Sequence, residues 1–161
     1  MSLETQRRFD TANPSKEKMA AKKRCAELVS GEILDLGGEP FYQHLFNGNV
    51  DTVNLPDDIH TFTTHKKYDS VCALHLLEHS PIPLAVILTA YDALKEGGVF
   101  YVSVPTIDNN YFVEMPEHWT VLPKNAWKKL LVRAGFKIEL EETGIFGNYR
   151  NALEYRFLGR K

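Results

Sequence analysis

The chain has 161 residues, of which 43% are hydrophobic and 25% charged, with a formal charge of −2. This is ordinary composition for one globular domain, long enough to bury a core without disulfide or metal staples, and it argues against a basic nucleic-acid binder. Met1 to Ala20 carries no apolar segment of the secretory kind, and no run reaches membrane-span length. Cys25 and Cys72 make neither a CxxC pair nor a zinc spacing. The expectation is one domain over 1–161, with an N-terminal arm over 1–14, in the reducing cytoplasm.

Asn13-Pro14 reads as an N-cap followed by proline at the first helical position, and Ser15 to Val29 reads as a helix stopped by Gly31. Its basic cluster (Lys16, Lys18, Lys22, Lys23, Arg24) is a solvated face, or else a contact surface for an acidic substrate. Glu32 to Leu36 is a short strand ended by Gly37-Gly38, and Pro40 to Phe46 a short helix. Val50 to Leu55 reads as a second strand and His60 to Thr64 as a third. Ser70 to His75 is apolar enough for a strand covered on both faces.

Pro81 to Lys95 has helical spacing at Leu84, Ile87, Leu88, Tyr91 and Leu94, and Gly97-Gly98 is its stop signal. A strand over Val99 to Val104 and an irregular stretch over Thr106 to Leu122 follow. Pro123 to Ala134 is a helix, and Phe136 to Glu142 and Ala152 to Leu158 are strands joined without a helix, hence an antiparallel edge pair. Strands alternating with helices imply an α/β fold whose mostly parallel sheet is covered on both faces.

In such a sheet the ligand lies beyond the carboxyl ends of the strands. The first loop there is Asp35-Leu36-Gly37-Gly38-Glu39, where glycine lets the backbone turn sharply and approach a ligand. Its acid and amides suit the ammonium and carboxylate of an amino-acid-like ligand; the plain alternative is a simple turn. The second loop, Asn54-Leu55-Pro56-Asp57-Asp58, places a polar side chain for ribose hydroxyls, or forms an Asx turn. The third runs from Leu74 to Pro81 and contains His75-Leu-Leu-Glu78-His79. That spacing matches an inverted zinc-protease motif, but such a motif needs a helix. Here it falls at a strand-to-helix junction before Pro81 and Pro83, so no metal is expected.

Several of these segments together resemble the class I S-adenosylmethionine-dependent methyltransferases, and within them the HVLEHV-type subgroup (methyltransferase types 11 and 23). Ile33 to Gly38 is similar to motif I, and Tyr68 to His79 to the fourth strand with its loop. Leu94 to Pro105 resembles the LKPGG turn and fifth strand, and His118 to Phe136 the stretch ending in Ala-Gly-Phe. The resemblance implies a Rossmann-like, seven-stranded sheet with an antiparallel C-terminal edge hairpin and helices on both faces. It implies S-adenosylmethionine as cofactor, with its methionine part against Asp35, Gly37, Gly38 and Glu39. Asn54, with Leu55 and Asp57, would serve the ribose, Leu74 and His75 would line the pocket, and Thr63 and Thr64 would flank the adenine. The chain departs from the family pattern at Glu39-Pro40-Phe41, at Asn54 in place of an acid, and in a short segment from Val53 to Ser70.

Methyl transfer needs a general base only where the acceptor must lose a proton. The candidates are His79, His118 and Asp108, each with a plain alternative as a cap, a packed loop residue or a turn residue. The acceptor pocket is expected to be formed by Thr106 to Leu122 and the N-terminal arm, where Tyr111, Phe112, Met115 and Trp119 could form an aromatic lid or simply cover the core. The expected acceptor is a small molecule, a sugar or a carrier-bound group, with no membrane or nucleic-acid partner; a homodimer is compatible with this reading. The rival reading is a non-catalytic methyltransferase-fold scaffold. A nicotinamide domain is disfavoured because no GxGxxG follows the first strand.

Overall fold

The structure, a computed structural model, describes residues 16–38, 40–53, 60–147 and 152–161. Helix α1 (Lys16–Leu28), rich in Ala, Lys and Glu, leads into strand β1 (Ser30–Leu36). A 3-10 turn over Pro40–Leu45 then leads to β2 (Asn47–Val53). Strand β3 (Tyr68–Leu74), a 3-10 turn over Leu77–His79 and helix α2 (Pro83–Ala93) follow. Strand β4 (Leu94–Pro105), the single turn α3 (Asn110–Val113) and helix α4 (Lys124–Arg133) lead to the hairpin of β5 (Lys137–Gly147) and β6 (Ala152–Arg160).

Among the described residues the sheet has six strands in the order β2-β1-β3-β4-β6-β5. β2, β1, β3 and β4 are parallel neighbours, whereas β6 runs antiparallel to both β4 and β5. The α/β class and the antiparallel edge agree with the sequence reading. The strand count does not: six stand where the resemblance implied seven. The expected strand at 60–64 is a turn at His60 and Thr61 followed by irregular backbone. Thr64 Oγ1 accepts the Lys66 N–H at 3.0 Å, a local bond that closes a turn and competes with sheet pairing.

The helix expected to end at Gly97-Gly98 stops earlier, at Ala93. Leu94 is 1% exposed and pairs with Tyr68, so burial draws the chain into the sheet before the glycines, which fall inside β4. The period-2 alternation of the strands sorts the core onto two faces. Val71, Ala73, Phe100, Val102 and Phe157 pack with Val86, Ile87, Ala90, Trp127 and Leu131 of α2 and α4. Ile33, Cys72, Tyr101 and Leu158 pack on the other face with Cys25 and Val29 from α1 and its end. β3 and β4 are covered on both faces, which explains their nearly continuous apolar runs. Among the described residues no helix is long and apolar enough to cross a membrane.

Candidate active site

The carboxyl ends of β1 and β3 meet at the first loop. Asp35 is 3% exposed, and its Oδ1 lies 3.4 Å from the Cys72 thiol, which acts as donor. Contact with Cys25 and burial both push the Cys72 thiol up, which keeps its proton on. Gly38 lies directly on the Asp35 carboxylate: a Cβ there would fall 1.7 Å from Oδ2. Gly37 has φ +72°, and its Cβ would meet Leu76 Cδ1 at 2.8 Å. Its N–H donates to the Val53 carbonyl at 2.7 Å, which ties the turn to the end of β2. The result is a stretch of bare backbone wedged between a buried acid and the loop after β3.

That loop opens on His75, which adopts φ +51°. This left-handed backbone is uncommon outside glycine and collects at functional sites. The His75 N–H donates to the Ser103 carbonyl at 3.0 Å. Its ring stacks on Phe146 with centroids 3.7 Å apart. Nε2 donates to Glu154 at 2.7 Å, and Nδ1 lies 3.2 Å from Glu78, an ion-pair distance without hydrogen-bond alignment. Burial pulls the imidazole pKa down, but the two carboxylates outweigh it and raise it to about 9, so His75 is an imidazolium at neutral pH.

The charges continue across the sheet. Arg156 Nε donates to Glu154 at 2.5 Å, and Arg156 and Arg24 both reach Glu142, at 3.4 and 3.0 Å. Cations and anions therefore alternate from α1 through β5 and β6 to the loop after β3. Buried charges persist only where they are paired in this way.

His79 and His118 form the second half of the site. Their rings meet edge to face with centroids 4.8 Å apart. His79 Nδ1 lies 3.0 Å from the Glu117 carbonyl, and His118 Nδ1 lies 2.7 Å from the Phe112 carbonyl. A carbonyl oxygen only accepts, so each Nδ1 is assigned the proton, and Nε2 is the nitrogen that carries the lone pair in the neutral tautomer. Burial lowers the His118 pKa against the opposing pull of Glu78, favouring the neutral ring. The segment carrying His118 is stapled to the loop by Thr120, whose N–H donates to the Glu78 carbonyl at 3.0 Å and whose hydroxyl donates to the Ser80 carbonyl at 2.8 Å.

Of the residues singled out in the sequence, Asp35, Gly37, Gly38, Leu74 and His75 come to one end of the sheet, beside His79 and His118. Glu39, Asn54, Leu55 and Asp57 lie outside the described residues. Asp108 is exposed and within electrostatic reach of Tyr155, and it is not one of the groups clustered with the histidine pair. Of the expected aromatic lid, Phe112 is 7% exposed and stacks on His118, whereas Trp119 is 72% exposed. Glu154, Arg156 and Glu142 escaped the sequence reading. The available signal was an acid and an arginine two residues apart in an aromatic strand, Leu-Glu-Tyr-Arg-Phe.

Residues 6–141 match the family model described as a methyltransferase domain. No curated protein matches the chain. Among solved structures, a chain in the complex of the Haloferax volcanii Trm112 methyltransferase activator with a methyltransferase superposes with TM-score 0.70 at 11% identity, covering 96% of this chain and 92% of that one. A SAM-dependent methyltransferase from Archaeoglobus fulgidus gives TM-score 0.65 at 15% identity, covering 95% and 98%. The N-methyltransferase NodS from Bradyrhizobium japonicum, in complex with S-adenosyl-L-homocysteine, gives 0.66 at 10%, covering 92% and 89%. At these identities the superpositions show a shared fold; the family match reaches further, and the chain belongs to the methyltransferase-domain family.

Proposed function

We propose that the chain transfers a methyl group from S-adenosylmethionine to a small-molecule or carrier-bound acceptor. The observation that carries this reading is the cradle at Gly37 and Gly38, where any Cβ would strike Leu76 or Asp35. Bare backbone beside a buried acid fits the amino-acid end of that cofactor, and the NodS structure holds its demethylated product. Asp35, Gly37 and Gly38, with Glu39, would hold the methionine part. Leu74 and His75 would line the pocket, and Asn54, Leu55 and Asp57 would serve the ribose.

When bound, the cofactor supplies the electrophilic sulfonium methyl. The chain's own task is to position an acceptor and exclude water. Because Leu76 packs on Gly37, the loop with Glu78 and His79 borders the cradle. The Nε2 lone pairs of His79 and His118 are the groups best placed to receive a proton from the acceptor, and Asp108 is the more distant candidate. Phe112 supports the His118 ring from behind.

The second reading, a non-catalytic scaffold, is favoured by the irregular backbone at 62–64 where a further strand was expected. Calorimetric titration of S-adenosylmethionine and S-adenosylhomocysteine into the full chain separates the two readings. Saturable binding abolished by Gly37→Arg supports the enzyme. No binding at millimolar ligand to folded protein contradicts it and leaves the scaffold.

A further inference from the structure

The Glu78–His79–His118 cluster has the makings of a metal site. Glu78 is 0% exposed; its Oε1 pairs with the His75 imidazolium at 3.2 Å, out of hydrogen-bond alignment, and its Oε2 has no hydrogen-bond partner among the described residues. A buried carboxylate oxygen in that condition is costly unless something else engages it. One ligand atom from each of Glu78, His79 and His118 lies within 4.8 Å of the other two. Both imidazoles also give Nδ1 to a backbone carbonyl, Glu117 for His79 and Phe112 for His118. Ligating histidines are characteristically oriented by such outer hydrogen bonds, which point the Nε2 lone pair at the metal. His75, its Nδ1 3.2 Å from one Glu78 oxygen and its Nε2 2.7 Å from Glu154, spends both ring nitrogens on carboxylates and offers no lone pair to a metal.

We infer that Glu78, His79 and His118 bind a divalent first-row transition metal, with zinc the ion that two imidazoles and one carboxylate suit best. Magnesium and calcium prefer all-oxygen shells, so the two ring nitrogens select against them. Three protein donors leave room for water or for an oxygen of the methyl acceptor, the open pattern of catalytic rather than structural zinc. The sequence expectation of no metal rested on the His75-Leu-Leu-Glu78-His79 spacing; the cluster instead joins Glu78 and His79 to His118, from a segment 39 residues further on. The metal site itself stands independently of methyl transfer. Only its role rests on that reading: with the metal bound, the two Nε2 lone pairs are ligands and no longer bases, and the ion would lower the pKa of a bound acceptor oxygen, whose proton leaves to water.

The test is titration of Zn²⁺ and Co²⁺ into the chelator-stripped full chain without cofactor, followed by calorimetry and by cobalt visible absorption, with Mg²⁺ for comparison. The expected result is one site per chain. Its affinity should fall at least about tenfold in His118→Gln and in His79→Gln, and stay unchanged in His65→Gln, an exposed histidine outside the cluster. In the wild-type chain, Zn²⁺ must also move the Nε2 nitrogen resonances of His79 and His118, a readout that needs no variant to fold. Absence of binding, wild-type affinity in the two cluster variants, unmoved Nε2 resonances, or Mg²⁺ binding as tightly as Zn²⁺ would each overturn the inference. Zinc binding without cofactor binding would refute methyl transfer and leave the metal site standing.

Discussion

Three glycines separate the cost of backbone strain from the cost of filling the cradle. Gly97 has φ +75° and nothing within 4 Å of where a Cβ would stand, so Gly97→Ala meets only the left-handed penalty, about 1–2 kcal/mol. Gly37 carries the same kind of backbone, φ +72°, and its Cβ would also press on Leu76, which is 2% exposed and has little room to yield. Overpacking adds about 1–3 kcal/mol to that penalty. Gly38 has no left-handed backbone, but its Cβ would fall 1.7 Å from the Asp35 carboxylate, so Gly38→Ala must displace a buried acid or open the turn. Its cost is the overpacking alone, about 1–3 kcal/mol. Urea unfolding measures the stabilities and calorimetry the affinity for S-adenosylhomocysteine. Gly97→Ala should lose stability and keep cofactor affinity. Gly37→Ala and Gly38→Ala should lose both, with affinity down at least about tenfold, or 1.4 kcal/mol. A Gly38→Ala protein with wild-type stability and affinity, or a Gly97→Ala protein that no longer binds, would refute the reasoning.

Other consequences follow from the core and the charge network. Trp127 is 1% exposed, so Trp127→Ala should cost about 3–5 kcal/mol in denaturant unfolding, whereas Val132→Ala, at 53% exposed, should stay within about 0.5 kcal/mol. Glu154→Gln removes the partner of both His75 and Arg156 and should destabilise by about 3–5 kcal/mol, with a sharper loss than Glu154→Gln in a His75→Gln, Arg156→Gln background. The His75 pKa of about 9 lies above its unfolded value. The imidazolium therefore adds stability that is whole below about pH 6.5 and is lost as pH climbs through about 9, at most about 3 kcal/mol in metal-free protein. Unfolding series between pH 6 and 10 on wild type and His75→Gln check this; parallel curves would contradict it.

Much of the fold was legible because its cues are local. The apolar run over Val71 to Leu74, the glycines after Leu36 and the helical spacing after Pro83 each act within a few residues. Local signals mislead in two places: Leu94 enters the sheet before Gly97-Gly98 can stop the helix, and Thr64 closes a turn where a third strand was expected. The site was half legible. Gly37, Gly38, His75, His79 and His118 stand at strand ends or in the loops beyond, which the parallel topology singles out. The tie between His75 and Glu154 spans 79 residues, and no local pattern encodes it. Glu154 and Arg156 alternate with Tyr155 and Phe157, which reads as a solvent face; the structure instead closes that face with His75, Glu142 and Arg24 of α1.

The most direct test of the central claim is an amide NMR titration of the full chain with S-adenosylhomocysteine. Saturable shifts should concentrate at Gly37, Gly38 and the loop from Leu74 to Leu76. Shifts confined to α4 and the β5–β6 hairpin, or none at millimolar ligand, would contradict it.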